Sequence, residues 1–260
     1  MKKAIVYTMA FAAIQILASY LVSSVLALFT GNGLEVQMKD VTTLIVSMTV
    51  ASVVVLVVFL CLRWAEVSRS YVQSRPWAVL TWCALAAVGA VIPSTCLQEL
   101  MPELPNVAEQ EFDMILTNRW GYFAVGLLAP GCEELVFRGA ILRALLRWTP
   151  RHWVAIAVSA VLFALVHANP AQMPHAFLIG LLLGWRYYRT DSVVPGVVYH
   201  WVNNSVAYVV YNLYPDPSLK LVDIFGSQRS VAAAVLFSLF ILLPALYQLN
   251  LRLRKATAKK

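Results

Sequence analysis

The chain has 260 residues, of which 60% are hydrophobic and 13% are charged, and its mean hydropathy is +0.72. So few polar residues cannot coat a soluble globule of this size, which indicates an integral membrane protein. The net charge of +7 would favour nucleic acid in a soluble protein, but most basic residues stand at the ends of apolar segments, so no nucleic-acid partner is expected.

Apolar segments long enough to cross a bilayer recur along the chain. A helix needs about 20 apolar residues to cross the hydrocarbon core. The predicted spans run over 4–29, 42–63, 77–97, 119–146, 152–168, 171–188, 193–213 and 231–251. Only 168–170 separates the fifth from the sixth, which predicts a tight helical hairpin. The predicted fold is all-α, a single polytopic membrane domain over 1–260 with eight transmembrane helices.

The charges between the spans predict which side each loop occupies. The loop after the second span is basic, at Arg63 and Arg69, and Arg186 and Arg189 follow the sixth span. The segment 99–113 holds five acids and no basic residue. Because basic loops stay on the cytoplasmic side, we predict a protein of the cell inner (plasma) membrane with both termini cytoplasmic.

The fourth span contains two adjacent carboxylates, Glu133 and Glu134, and no other predicted span contains an acid. A charge at bilayer depth costs roughly 2.5–3.5 kcal/mol on insertion scales, so it indicates a partner or a function. Pro130 and Gly131 stand just before them. We therefore expect the helix to break there and to restart, with the glutamates near the free N–H groups of a new helix.

Pairs of residues at a spacing of four occur in the fourth, fifth and seventh spans. That spacing puts two side chains on one helix face, so Glu134 lies over Arg138, Phe163 over His167 and His200 over Asn204. His167 ends the fifth span. These groups predict an active site in a cavity among helices 4, 5 and 7. Two further polar residues lie outside the predicted site: His175 is interpreted as a packing or interfacial histidine, and Asn203 as a neighbour of the site.

Two kinds of peptide hydrolysis suit these residue types. A glutamate beside a histidine can hold and deprotonate water, while a second histidine and an asparagine amide donate hydrogen bonds to the oxyanion. Alternatively, Glu133, His167 and His200 could ligate a zinc ion whose open position holds the attacking water. The residues by themselves leave both mechanisms open, so zinc is a conditional cofactor.

Three runs match known motifs in order: Glu133-Glu134-Leu-Val-Phe-Arg138, Phe163-Ala-Leu-Val-His167 and His200-Trp-Val-Asn-Asn204. They resemble the EExxxR, FxxxH and HxxxN motifs of the CPBP family, the CAAX proteases and bacteriocin-processing enzymes, and the chain resembles a bacterial member over about 118–213.

The resemblance implies a role for each motif residue. Glu133 and His167 would activate water, and His200 and Asn204 would form the oxyanion hole. Glu134 and Arg138 would support the site. The implied substrate is a peptide or protein, lipidated or not, met among membrane lipids. Neither the natural substrate nor the oligomeric state follows from the motifs.

Other classes of protein are less compatible with the sequence. The HExxH, GxSG and GxGD motifs of other intramembrane proteases do not occur. A proton-coupled transporter would predict repeat symmetry and polar residues in both halves, and neither is seen. A non-catalytic binding or immunity protein would keep the fold without needing all three motifs, and all three are intact.

Overall fold

The computed structural model describes residues 1–216 and 219–255, which form helices and connecting loops without a strand. The all-α prediction is therefore confirmed for these residues. The helices before the glutamates are α1 (Lys2–Thr30), α2 (Leu34–Met38), α3 (Val41–Cys61), α4 (Arg69–Gln73), α5 (Trp77–Glu99) and α6 (Glu109–Thr117). Those after them are α9 (His152–Leu165), α10 (Met173–Thr190), α11 (Val194–Leu213), α12 (Leu221–Phe225) and α13 (Gln228–Arg252).

Four helices are long and apolar enough to cross a membrane by length and composition: α1, α3, α5 and α13. They coincide with the first three predicted spans and the last. The segments predicted as spans four to seven are also helical, but α9 has 14 residues and so extends only about 21 Å. A length of about 30 Å is needed to cross the hydrocarbon core, so the count of eight spans stays a prediction.

The glutamates lie inside one continuous helical stretch. It begins with a π-helix, π1 (Tyr122–Leu128), and continues through α7 (Ala129–Glu134), a second π-helix, π2 (Leu135–Leu142), and α8 (Arg143–Trp148). The residues at each junction have right-handed helical dihedrals, as at Leu128 with φ −75° and ψ −45°. The predicted break at Pro130 and Gly131 is therefore wrong, and the glutamates gain no free N–H groups from a helix start.

The reason lies in the turn before the proline. In a regular α-helix, Pro130 would remove one hydrogen bond and press its ring against the carbonyl of Gly126. In π1 the backbone bonds span five residues rather than four, as between the Ala129 N–H and the Ala124 carbonyl. This wider turn gives the Gly126 carbonyl more room beside the Pro130 ring, so the helix continues through the proline.

The hairpin predicted between the fifth and sixth spans is present as α9 and α10. Its turn includes Ala168 in the left-handed region, with φ 50°. The helices pack so closely that a Cβ atom on Gly180 would lie 2.9 Å from the Cβ of Ala160. Fully buried Asn169 donates to Asn106 Oδ1 at 2.7 Å, which ties the turn to the loop that precedes α6.

One expected loop cation is a core residue instead. Arg186 lies inside α10 and has no exposed surface, and its guanidinium stands 4.1 Å from the ring centre of Tyr199 on α11. None of its three side-chain nitrogens has a hydrogen-bond partner among the described residues. The expectation failed because α10 packs Arg186 against Tyr199 of α11, and an aromatic face can accommodate a buried guanidinium.

Candidate active site

The two adjacent glutamates have different surroundings. Glu134 is completely buried, whereas the Glu133 side chain keeps 21% of its surface exposed. Glu133 reaches a cavity of about 310 Å³, which His167, His200 and Asn204 also line. The motif residues that the resemblance assigns to chemistry thus share one cavity, and Glu134 lies behind its wall.

Glu134 is held by a buried ion pair. Its Oε1 accepts a hydrogen bond from the Arg138 guanidinium at 2.8 Å, as the spacing of four predicts. The same guanidinium donates to the Gly180 carbonyl of α10 at 3.3 Å and lies 4.4 Å from the ring centre of Phe163 on α9. Arg138 therefore joins the glutamate helix to both helices of the hairpin.

Helix α11 approaches the buried carboxylate at a glycine. A Cβ atom on Gly196 would lie 2.5 Å from Glu134 Oε2, well inside contact distance. Glycine at position 196 therefore leaves room for the Glu134 carboxylate in its present position. One turn further along α11, His200 also contacts Glu134, so this close approach sets the depth at which His200 enters the site.

His200 lies between the two glutamates. Its Nδ1 is 3.3 Å from Glu134 Oε1, and its Nε2 is 3.8 Å from Glu133 Oε2. Ionised carboxylates only accept hydrogen bonds, so His200 Nδ1 donates to Glu134 Oε1, whereas the distance from Nε2 to Glu133 is too long for a hydrogen bond. The arrangement directs the Nε2 edge of His200 toward the cavity beside Glu133.

His167 lies just after the end of α9 and is oriented by a carbonyl of that helix. Its Nδ1 lies 2.7 Å from the Phe163 carbonyl, one turn earlier in α9. A carbonyl can only accept, so Nδ1 carries the proton and Nε2 keeps its lone pair. This tautomer leaves one basic nitrogen of His167 available to a water molecule or a metal ion.

Asn204 is anchored by a backbone oxygen that the glutamate helix leaves free. Its Nδ2 donates to the Val125 carbonyl at 3.0 Å. That carbonyl has no helical donor, because the N–H of Ala129 is bonded to Ala124 and Pro130 has no N–H at all. Asn204 satisfies the oxygen with one N–H and keeps its second N–H for another acceptor.

The cavity contains a third histidine whose position sequence reasoning missed. His175, interpreted as a packing residue, lines the cavity with His167 and His200, and its buried Nδ1 has no hydrogen-bond partner among the residues described. The hairpin was the available signal, because a tight turn at 168–170 brings the end of the fifth predicted span, with His167, close to the start of the sixth, with His175. Asn203 also borders the cavity, as expected.

Part of the cavity lining is apolar, and we call it the apolar wall. Met48 of α3, Phe112 and Leu116 of α6, and Tyr208 of α11 contribute to it. Two side chains of α11 hold α6 in place by bonding its C-terminal carbonyls: Asn212 Nδ2 donates to Leu116 at 3.0 Å and the Tyr208 hydroxyl donates to Asn118 at 3.3 Å. The cavity therefore combines a polar wall with an apolar one.

The zinc alternative can be compared with this geometry. His167 offers a free Nε2, and His200 Nε2 lies 3.8 Å from Glu133 Oε2, while His200 Nδ1 contacts Glu134. Within 1–216 and 219–255, no group of three or more His, Cys, Asp or Glu side chains is arranged to hold a metal ion. Zinc therefore stays a conditional prediction that chelation of the purified protein tests.

Comparison with known proteins finds a family match over the segment that contains the three motifs. Residues 115–206 match the family model described as Rce1-like: Type II CAAX prenyl endopeptidase Rce1-like. No curated protein and no solved structure matches the chain. All three motifs, from Glu133 to Asn204, fall inside the matched residues. The resemblance drawn from the motifs is therefore confirmed by the family model: over residues 115–206 this membrane protein is similar to the Rce1-like type II CAAX prenyl endopeptidases.

Proposed function

We propose that the protein is an intramembrane endopeptidase in which Glu133 and His167 activate water for direct attack on a peptide carbonyl. The single observation that carries the proposal is the position of His200, whose two nitrogens lie near Glu133 and Glu134 at the wall of the cavity. Such a group of carboxylates and imidazoles around a mostly apolar cavity is typical of a hydrolytic site. The family match supports CAAX-type endopeptidase activity in general.

Glu133 serves as the general base in this mechanism. It is the glutamate that reaches the cavity, while Glu134 is committed to Arg138. A water molecule hydrogen-bonded to His167 Nε2 gives a proton to the Glu133 carboxylate as its oxygen attacks the carbonyl carbon. Glu134 and Arg138 hold the helices in place and take no part in proton transfer.

His200 and Asn204 stabilise the charge that develops on the carbonyl oxygen. The Nε2–H of His200 and the second N–H of Asn204 donate hydrogen bonds to the oxyanion. When the intermediate collapses, the C–N bond breaks, and the proton held by Glu133 passes to the leaving nitrogen. Losing one oxyanion donor typically lowers kcat by about 10²–10³-fold.

The apolar wall favours a substrate with an apolar side chain beside the scissile bond. A cavity of about 310 Å³ is near the lower end of ordinary ligand sites. It suits a short peptide segment with its side chains. The proposed substrate is thus a peptide or protein. Comparing kcat/KM for lipidated and unlipidated forms of the same peptide measures how much a lipid contributes to cleavage.

The proposed topology has eight membrane-crossing helices, both termini in the cytoplasm of a plasma-membrane protein, and one domain over 1–260. The charge bias of the loops supports it. Fusing a reporter that is active only in the cytoplasm to each loop tests the orientation. Activity of a fusion in the acidic 99–113 loop would contradict it.

Cleavage of a quenched fluorescent peptide by purified protein tests the enzymatic proposal. We expect Glu133→Gln and His167→Ala each to lower the rate by more than about 10²-fold, because each removes a group that activates water. Glu35→Gln is the matched control, since Glu35 is an exposed acid in α2 outside the cavity. Equal rates in the wild type and all three variants would refute the proposal and favour a non-catalytic binding protein or a transporter.

A further inference from the structure

A second cavity lies at the opposite end of the glutamate helix, where the start of α1, the residues that follow α3, and α8 meet. It has a volume of about 540 Å³. We call it the basic cavity and define it by six of its lining residues: Lys2, Lys3, Arg63, Trp64, Arg147 and Trp148. It shares no residue with the candidate active site, and the proposed peptide hydrolysis gives it no role.

The charge of the basic cavity is uncompensated. Within the described part of the chain, Lys2, Lys3, Arg63 and Arg147 take part in no ion pair. The acid beside them, Glu66, is bonded to Arg143 at 2.6 Å. Four cations therefore line one concave surface with their hydrogen-bond donors free, which is the pattern expected where an anionic group binds.

Two aromatic residues, Tyr7 and Trp64, line the basic cavity. The Trp64 ring lies 5.0 Å from Tyr7 and 5.2 Å from Phe59, measured between ring centres. The backbone N–H of Trp64 donates to the Phe59 carbonyl at 2.9 Å, which closes the end of α3. Arg63, just before it, has a left-handed backbone with φ 54°, a conformation that residues other than glycine rarely adopt. These contacts fix the position of Trp64 beside the basic residues.

Exposed apolar side chains adjoin the basic cavity. Ile5 and Val6 of α1 are 46% and 52% exposed, and Leu60 and Leu62 at the end of α3 are 43% and 55% exposed. Trp148 is half exposed, as is common at a membrane interface. A ligand that fits both parts carries an anionic group joined to long apolar chains.

We propose that the basic cavity binds the phosphate headgroup of an anionic phospholipid, with the acyl chains lying along α1 and α3. Its basic residues are on the face that the charge bias predicts to be cytoplasmic, where anionic lipids of the inner leaflet are available. Arg63 and Arg147 hold the phosphate oxygens, and Lys2 and Lys3 add charge at the rim. This binding is independent of the proposed peptidase activity.

Native mass spectrometry of the purified full chain tests the proposal. The probes are phosphatidylglycerol, phosphatidylcholine and inorganic phosphate, each added at increasing concentration. We expect phosphatidylglycerol to bind about tenfold more tightly than phosphatidylcholine, and Arg63→Gln/Arg147→Gln to lower its affinity about tenfold. The variant Arg63→Lys/Arg147→Lys keeps the charge and should retain most of the affinity. It also shows whether the arginine side chains are needed for folding.

The control removes equal charge elsewhere on the same face. Arg75→Gln/Arg254→Gln is well matched, because Arg75 also has a left-handed backbone, with φ 52°, and both residues border a different cavity. We expect it to change phosphatidylglycerol affinity by less than about twofold. Equal losses in both glutamine variants would overturn the proposal in favour of diffuse surface attraction. Inorganic phosphate binding as tightly as the lipid would overturn the lipid as ligand.

Discussion

Asn204 donates through Nδ2 to the Val125 carbonyl at 3.0 Å, and that oxygen lacks a helical donor because Pro130 has no N–H. The asparagine of the third motif thus compensates for a proline three residues before the first motif. This contact ties α11 to the glutamate helix beside the proposed oxyanion site. Stability and catalysis at Asn204 can therefore be separated by experiment.

Asn204→Ala should reduce both stability and activity, and Pro130→Ala should restore only stability. Without Asn204, the partly buried Val125 carbonyl loses its donor, at a cost of about 0.5–1.5 kcal/mol. In the double variant, the new N–H of residue 130 can bond to that carbonyl. We expect it to recover about 1 kcal/mol in a double-mutant cycle measured by unfolding in detergent. Peptide cleavage should stay low, because the oxyanion donor is still missing; recovery of full activity would contradict that role.

Breaking the pair of Glu134 and Arg138 should cost more than removing it. Either Glu134→Gln or Arg138→Met leaves an uncompensated buried charge, so we expect each to lower the free energy of unfolding by about 3–5 kcal/mol. The double variant should be less destabilised than either single variant, because it leaves no unpaired buried charge. Denaturation of all four proteins in the same detergent measures the coupling. Additive losses would mean that the two side chains stabilise the fold independently.

Gly196→Ala should disturb the contact between Glu134 and His200 and lower activity. Its Cβ would lie 2.5 Å from Glu134 Oε2, so either α11 or the Glu134 carboxylate has to shift, and either shift changes the contact between Glu134 and His200. Because small misplacements of reacting groups are costly, we expect a loss of about 10²-fold in kcat. Gly131→Ala provides the control. Gly131 lies in the same helical stretch as Glu134, and a Cβ atom there would have no neighbouring atom within 4 Å. Similar losses in both variants would argue against a specific effect on His200.

Phe112→Ala should alter which peptides are cleaved. Phe112 contributes to the apolar wall of the cavity, so its truncation makes room for a larger side chain beside the scissile bond. In a peptide series with Ala, Leu or Phe there, we expect kcat/KM to shift toward the larger residues by about tenfold. The exposed Phe123 in π1 offers a comparison through Phe123→Ala. An unchanged preference would exclude Phe112 from substrate selection.

Removing divalent metal ions should leave the rate unchanged. The proposed chemistry uses Glu133 and His167 without a Lewis acid, so activity should stay within about twofold after treatment with a strong chelator. Elemental analysis of the same sample verifies that zinc is absent. Loss of activity that zinc restores would instead support the alternative in which Glu133, His167 and His200 hold the metal.

Most of the candidate site could be predicted from local spacing. Glu134 and Arg138 are four residues apart, and the ion pair follows from the helical period wherever the segment is helical. The hairpin of α9 and α10 likewise follows from a short break between two apolar segments. The failures are long-range: the charge pattern predicts that Arg186 is a loop cation, whereas the packing of α10 against Tyr199 buries it.

By itself, the sequence determined that this is an all-helical membrane protein and which motif residues share a helix face, because composition and helical periodicity are local properties. Only the tertiary structure decided that the helix continues through Pro130, that His200 lies between Glu133 and Glu134, and that His175 lines the same cavity. Those outcomes depend on how helices are rotated and how closely they pack. Packing of this kind is set by side chains far apart in the chain, such as Gly196 against Glu134.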